Sequence, residues 1–288
     1  MSESYCFLNG KIIPEKDASL PLSDIGILRA YSVYDGITAF DGKPFLFQNH
    51  YERFLRSGTA LGIAIPYSSE ELYNALCEML QKSGLTERAN IRAVATGGTT
   101  IAGIEFKPEN SVTFFTAANF APLPKEYYES GAKLITHEYK REFPEYKTVN
   151  YITGVREQKR RKEAGAVEIL FVKGGLVYEC ATSNIFIVKD GVLVTPHKDV
   201  LGGITRKLVC KLATENSIEC KDGDVSTTDL FDADEVFITS SFKDVVPIVE
   251  IDGKSIRDGQ IGPKTRQIAD LFQGYLDSKQ GLALDTRI

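Results

Sequence analysis

The chain is poor in the residues that build metal centres and disulfide frameworks. Its five cysteines, at 6, 77, 180, 210 and 220, form an odd, irregular set with no Cys-x-x-Cys pair, which speaks against a disulfide framework and a thiolate metal site. Only three histidines occur, at 50, 137 and 197, with no His-x-x-x-His pair, and no EF-hand loop is present. No protein-built metal site is expected. No apolar run approaches the roughly 18 residues of a spanning helix, and no signal-peptide pattern opens the chain, so no membrane partner is expected and the cytoplasm is the default location. Positive charge is not in excess: a net charge of -5 favours solubility and offers nucleic acid no global attraction. The local exception, Arg156, Lys159, Arg160, Arg161 and Lys162, has no accompanying aromatic stacking series and reads as a solvated helix face.

What is there suffices for an ordinary soluble fold. The 288 residues, 43% hydrophobic and 25% charged, can bury a substantial core and divide into two domains. Asn9-Gly10 marks a turn between two short strands within Tyr5 to Pro14. A strand pattern over Gly36 to Phe47, interrupted at Asp41-Gly42, leads into helical character from Asn49 to Leu61. Ser68 and Glu71 offer a capping box, after which Leu72, Leu76 and Leu80 recur every fourth position and Gly84 supplies a stop. Strands at Ile91–Thr96 and Val112–Thr116 flank a glycine-bearing loop.

Phe120-Ala121-Pro122-Leu123-Pro124 is the best linker, because its prolines remove backbone donors. Residues 1–119 are therefore expected to form a first domain, 120–128 a linker and 129–288 a second domain. Within the latter, hairpin signals lie at Lys173-Gly174-Gly175 and Lys189-Asp190-Gly191. Ile204, Leu208 and Leu212 mark a helix face, Asp234–Thr239 returns to strand character, and Ile268, Leu271, Phe272 and Tyr275 suggest a packed terminal helix. The fold class expected is α+β, with helices among largely antiparallel strands.

The chemistry concentrates between residues 147 and 188. A lysine amine such as Lys147 can form a Schiff base with a cofactor aldehyde, leave when a substrate amine replaces it, and then shuttle a proton. Glu179, after the strand-like Leu176-Val177-Tyr178, could hold the proton of a pyridine nitrogen. A phosphate needs its own holder. Leu201-Gly202-Gly203-Ile204-Thr205 opens an amphipathic helix whose amides can cradle an anion, and Thr239-Ser240-Ser241 is another candidate. His50 and Arg53 share a helix face, and an arginine fork suits phosphate.

Taken in order, His50-x-x-Arg53, Lys147-x-x-Asn150-Tyr151, Glu179-x-x-x-x-Asn184-x-Phe186, Gly203-Ile204-Thr205-Arg206 and Ser241 ahead of Pro247 resemble the fold-type IV, class IV pyridoxal-phosphate aminotransferases across roughly residues 5–250. The resemblance implies a small N-terminal α/β domain and a larger C-terminal pseudo-barrel domain. It implies pyridoxal 5'-phosphate as cofactor, a homodimer, and exchange of an amino group between an amino acid and a 2-oxo acid. It makes Lys147 the catalytic Schiff-base lysine, Glu179 the ring-nitrogen partner and Tyr151 the partner of the ring hydroxyl. Arg53, Ile204, Thr205 and Ser241 become phosphate ligands.

Substrate choice is less specified. Arg29, Tyr34 and Arg92 are candidate substrate-binding residues, the two arginines as rival carboxylate clamps. Arg92 aligns with an arginine of branched-chain aminotransferases, yet Thr38 stands where those enzymes carry arginine. Thr96-Gly97-Gly98 lacks the arginine of the Thr-Arg-Gly motif in D-amino-acid enzymes, whereas Leu28-Arg29-Ala30-Tyr31 resembles the opening of less typical ones. Branched-chain L- and D-amino acids both stay open. Aminodeoxychorismate lyase, releasing pyruvate and 4-aminobenzoate, is the alternative activity.

Overall fold

A computed structural model describes residues 3–288. The chain forms two compact units, one made of residues through Ala121 with Tyr146–Asn150 and Lys279–Arg287, the other of Pro122–Glu145 and Tyr151–Ser278 with Ile288. Among the described residues, no helix is long and apolar enough to cross a membrane.

The first unit contains β1 (Tyr5–Leu8), β2 (Lys11–Pro14), α1 (Ile25–Arg29), β3 (Ser32–Phe40), β4 (Lys43–Pro44), α2 (Phe47–Ala60), α3 (Ser69–Lys82), β5 (Ala89–Thr96) and β6 (Val112–Asn119). Its strands make one antiparallel sheet in the order β2-β1-β6-β5-β3-β4. Alternation puts Phe7, Val33, Ile37, Ile91, Ala93, Ala95 and Phe115 in a core with Phe54 of α2 and Leu72, Leu76 and Leu80 of α3. The Ser68/Glu71 capping box forms as the sequence suggests.

Two boundaries differ from the sequence expectation. The strand pattern over Gly36–Phe47 breaks at Asp41 (φ 51°) and Gly42 (φ 71°) as expected, but β3 already begins at Ser32 and β4 stops at Pro44. Helix α2 begins at Phe47, two residues before Asn49. Phe47 is buried in the core, so tertiary burial secures a first turn that has no side-chain cap.

The second unit contains α4 (Glu126–Glu129), β7 (Ala132–Glu138), α5 (Ile152–Arg156), α6 (Gln158–Glu163), β8 (Glu168–Lys173), β9 (Leu176–Cys180), β10 (Asn184–Lys189) and β11 (Val192–Thr195). It continues with α7 (Ile204–Glu215), β12 (Cys220–Asp222), β13 (Val225–Ser226), α8 (Thr227–Phe231), β14 (Glu235–Ser240), β15 (Asp244–Ile251), β16 (Lys254–Ser255) and α9 (Pro263–Asp277). The main path of its sheet runs β12-β11-β10-β14-β15-β7-β8-β9-β13. Strands β9 and β10 stand far apart in that order, yet only Ala181–Ser183 separates them in the chain, and Cys180 N–H donates to the Ser183 carbonyl at 2.8 Å. A sheet can satisfy both conditions only by curling round on itself, which gives the pseudo-barrel.

This sheet is more mixed than the sequence suggests. Strand β7 is parallel to both β8 and β15, and β11 is parallel to β12. Parallel neighbours require a crossover, supplied between β7 and β8 by the segment carrying α5 and α6. The cysteine reading is also corrected in one place: Cys210 of α7 is joined to Cys220 of β12, with Cα atoms 5.6 Å apart. The chain returns from α7 into β12 and brings the two residues within bridging reach, a juxtaposition that motif spacing does not reveal.

Candidate functional site

In the first unit, the candidate lysine is pinned by its backbone. Tyr34 N–H of β3 donates to the Lys147 carbonyl at 2.9 Å, and Val149 N–H donates to the Ser32 carbonyl at 3.1 Å. Lys147 N–H in turn donates to the Ser57 hydroxyl of α2 at 3.1 Å. Three bonds to two elements fix where the side chain departs. Its Nζ lies 4.5 Å from the centroid of the Tyr34 ring, within cation–π range.

Arg92 lies on the same sheet face. The β3–β5 register pairs Tyr34 with Val94 and Gly36 with Arg92, so the pleat turns Tyr34 and Arg92 to one side. Arg92 is exposed there. Arg29 is exposed at the last position of α1, where its Nη1 donates to the Leu28 carbonyl at 2.7 Å. Arg53 and His50 are buried one helical turn apart on α2, against the buried Asp35 of β3.

In the second unit, Glu179 ends near the edge of β9 and is buried. Its Oε1 accepts from Arg141 Nε at 2.7 Å and its Oε2 from Leu201 N–H at 3.1 Å. Arg141 is itself buried and also donates to the Pro144 carbonyl. Motif reading passes over Arg141. The one available signal is its place six residues before Lys147, in the otherwise exposed Arg141-Glu142-Phe143 stretch.

Helix α7 begins directly after Gly203 with no side-chain cap, and Ile204 and Thr205 are buried in its first turn. A Cβ on Gly203 would lie 1.8 Å from Asn184 Oδ1, so any other residue forces Asn184 to move. Asn184 is held in turn by donating to the Leu201 carbonyl at 2.8 Å. Thr239, paired with Asn184 across β10 and β14, has a buried hydroxyl without a hydrogen-bond partner, as does Ser240. Uncapped amides, a helix dipole and the open Thr239 hydroxyl, on the sheet face of Asn184, are a donor set for an anion such as phosphate. Ser241 follows β14 directly, and Tyr151 is the N-cap residue of α5, half-buried.

A further buried cluster secures this region. Glu168 of β8 accepts from Lys243 at 2.8 Å and from the Ser183 hydroxyl at 3.1 Å, and Thr182 donates to it as well. Burial pushes the Glu168 carboxyl up, but Lys243 and the two hydroxyls outweigh it and hold the group below the ordinary carboxylate range. The turn after Glu179 is thereby tied to the loop after Ser241.

Comparison with known proteins points one way. The family description Amino-transferase class IV matches residues 32–251. A Methanocaldococcus jannaschii protein named as a branched-chain-amino-acid aminotransferase is 36% identical over 275 residues, covering 93% of this chain and 94% of its own. A D-alanine aminotransferase of Staphylococcus epidermidis is 32% identical over 276 residues, covering 94% of this chain and 98% of its own. The crystal structure of the T.th. branched-chain amino acid aminotransferase with pyridoxamine 5'-phosphate superposes with a TM-score of 0.89 at 28% identity, covering 97% of this chain and 96% of that one.

Proposed function

Because the chain belongs to the class IV aminotransferases, we propose that it uses pyridoxal 5'-phosphate to move an amino group between an amino acid, branched-chain L or D, and a 2-oxo acid. The cofactor supplies an aldehyde that exchanges amines and a protonated ring that draws electron density from the substrate α carbon. The chain supplies the rest. Lys147 provides the amine that holds the cofactor at rest and then carries the proton abstracted from the α carbon. Glu179 keeps the ring nitrogen protonated, and Arg141 orients that carboxylate through its 2.7 Å bond. Tyr151 faces the ring hydroxyl in this reading.

Arg53, the Ile204 amide, Thr205 and Ser241 take the phosphate, joined by the open hydroxyl of Thr239. The donor set around α7 fits such a group, since its first amides have no side-chain cap. For the substrate carboxylate, the shared sheet face of Tyr34, Arg92 and the Lys147 amine favours Arg92 over Arg29. The single observation that carries the reading is the lysine pinned at both its backbone groups, with Val149 tied beside it, and its amine over the Tyr34 ring.

The same reading includes a homodimer and a cytoplasmic location. Leu22 ahead of α1, Ile27 and Leu28 on α1, and Ile101 and Ile104 in the loop after β5 are exposed, the two segments being joined by the Asp24–Thr99 bridge, and this apolar surface suits a second copy.

The test is a spectrophotometric panel of paired L- and D-amino acids, scored by the change in cofactor absorbance and by the 2-oxo acid released. Turnover of one stereochemical series is expected, and Lys147→Ala should abolish it. Undiminished transamination by that variant would remove Lys147 from its role. Release of pyruvate and 4-aminobenzoate from aminodeoxychorismate, without a 2-oxo acid, would select the lyase instead.

A further inference from the structure

Asp35 is a charged group with no access to solvent. It follows Tyr34 on β3 and is 0% exposed. Its Oδ2 accepts from Arg53 Nε at 2.8 Å, and its Oδ1 accepts from Arg53 Nη2 at 2.7 Å. Oδ1 also lies 2.8 Å from His50 Nδ1. Burial pushes the Asp35 carboxyl up, yet Arg53 and His50 together outweigh it and hold the group well below the ordinary carboxylate range. Burial moves His50 below its ordinary value, against the pull of Asp35.

A buried ion pair adds little as a stabilising device, since apolar residues of similar volume commonly serve as well. Its advantage is geometry: a guanidinium gripped through Nε and one Nη is held in plane and direction. Helix α2 extends that hold. Ser57, four residues after Arg53 and fully buried, donates its hydroxyl to the Arg53 carbonyl at 2.9 Å and accepts the Lys147 amide. The carboxylate on β3 thus fixes the guanidinium of Arg53, while Ser57 separately receives the Lys147 backbone.

We propose that Asp35 is a positioning residue for the cofactor phosphate, clamping Arg53 through two nitrogens and His50 through one so that the guanidinium is aimed at the phosphate before it arrives. This rests on the reading that the chain binds pyridoxal 5'-phosphate with Arg53 as a phosphate ligand. A residue needed only for folding would affect every ligand of the site alike. A residue that aims Arg53 affects only ligands carrying phosphate.

The experiment measures the affinity of the full-length apoprotein for pyridoxal 5'-phosphate and for pyridoxal, which lacks the phosphate, from the absorbance of the lysine-bound form. Asp35→Asn should weaken the phosphorylated ligand roughly 10- to 100-fold, the loss of one or two charge-assisted bonds, and leave pyridoxal within about threefold. In an Arg53→Met background the same substitution should have no further effect on the preference for the phosphorylated ligand. Asp35→Glu, which keeps the charge and shifts the clamp by one methylene, should fall between Asp35→Asn and the unaltered chain, and it serves alone if Asp35→Asn does not fold. Equal weakening of both ligands, or an unshifted preference in these variants, overturns the proposal. If the unaltered chain binds the two ligands equally, the phosphate reading of Arg53 fails first, and that result appears before any variant is made.

Discussion

Replacing Arg141 by methionine tests how the carboxylate of Glu179 is maintained. Arg141 and Glu179 have side chains only 8% exposed each and are joined at 2.7 Å. Methionine keeps much of the stem volume and removes the charge, leaving Glu179 with the Leu201 amide as its remaining described partner. Breaking one side of a buried pair costs about 3–5 kcal/mol, because the other charge stays desolvated and uncompensated. Glu179→Gln should cost a similar amount by stranding Arg141. The double variant should lose less than the sum of the two, with a coupling energy of about 1.5–3 kcal/mol for a bond between charged groups. The assay is urea unfolding of the apoprotein at pH 7, followed by tyrosine fluorescence and far-ultraviolet dichroism together, whose coincidence permits a single free energy. A cycle in which the single costs simply add, or an Arg141→Met loss within about 0.5 kcal/mol, the range of an ordinary surface change, would refute the argument that Arg141 holds Glu179.

Two further outcomes follow from the same geometry. Gly203→Ala places a methyl 1.8 Å from Asn184 Oδ1, so Asn184 must move and its bond to the Leu201 carbonyl is lost. A loss of about 1–3 kcal/mol in stability is expected, with weaker binding of inorganic phosphate by titration calorimetry; unchanged phosphate binding would count against α7 as the anion site. Acid titration reads Asp35 and Glu168, whose folded carboxyls both sit below their ordinary values. The unfolded chain takes up their protons first as pH falls, so their contribution is full above about pH 5 and is lost progressively as pH drops through the folded values. Glu168→Gln should therefore flatten the acid limb of the stability curve, and an acid limb as steep as that of the unaltered chain would remove Glu168 from this account.

The sequence by itself determined what chemistry and local geometry can encode along a chain. The hairpins at Asp41-Gly42, Gly174-Gly175 and Asp190-Gly191 were legible because their turns need positive φ at adjacent positions. The α3 capping box was legible because its partners lie three residues apart. The lysine, glutamate and glycine-led helix start were legible as residue types in order. Tertiary structure alone decided which of these residues gain company. Arg141 reaches Glu179 across 38 positions, Asp35 takes Arg53 from a neighbouring helix, and the open hydroxyls are those of Thr239 and Ser240. The parallel placement of β7 and the Cys210–Cys220 bond belong to the same class. Spacing rules reach one or two turns along an element, whereas the partners of a buried charge depend on which strands and helices become neighbours. Lys147 could be named from its motif, but the two bonds that fix its backbone come from Tyr34 of β3 and Ser57 of α2, far upstream in the chain.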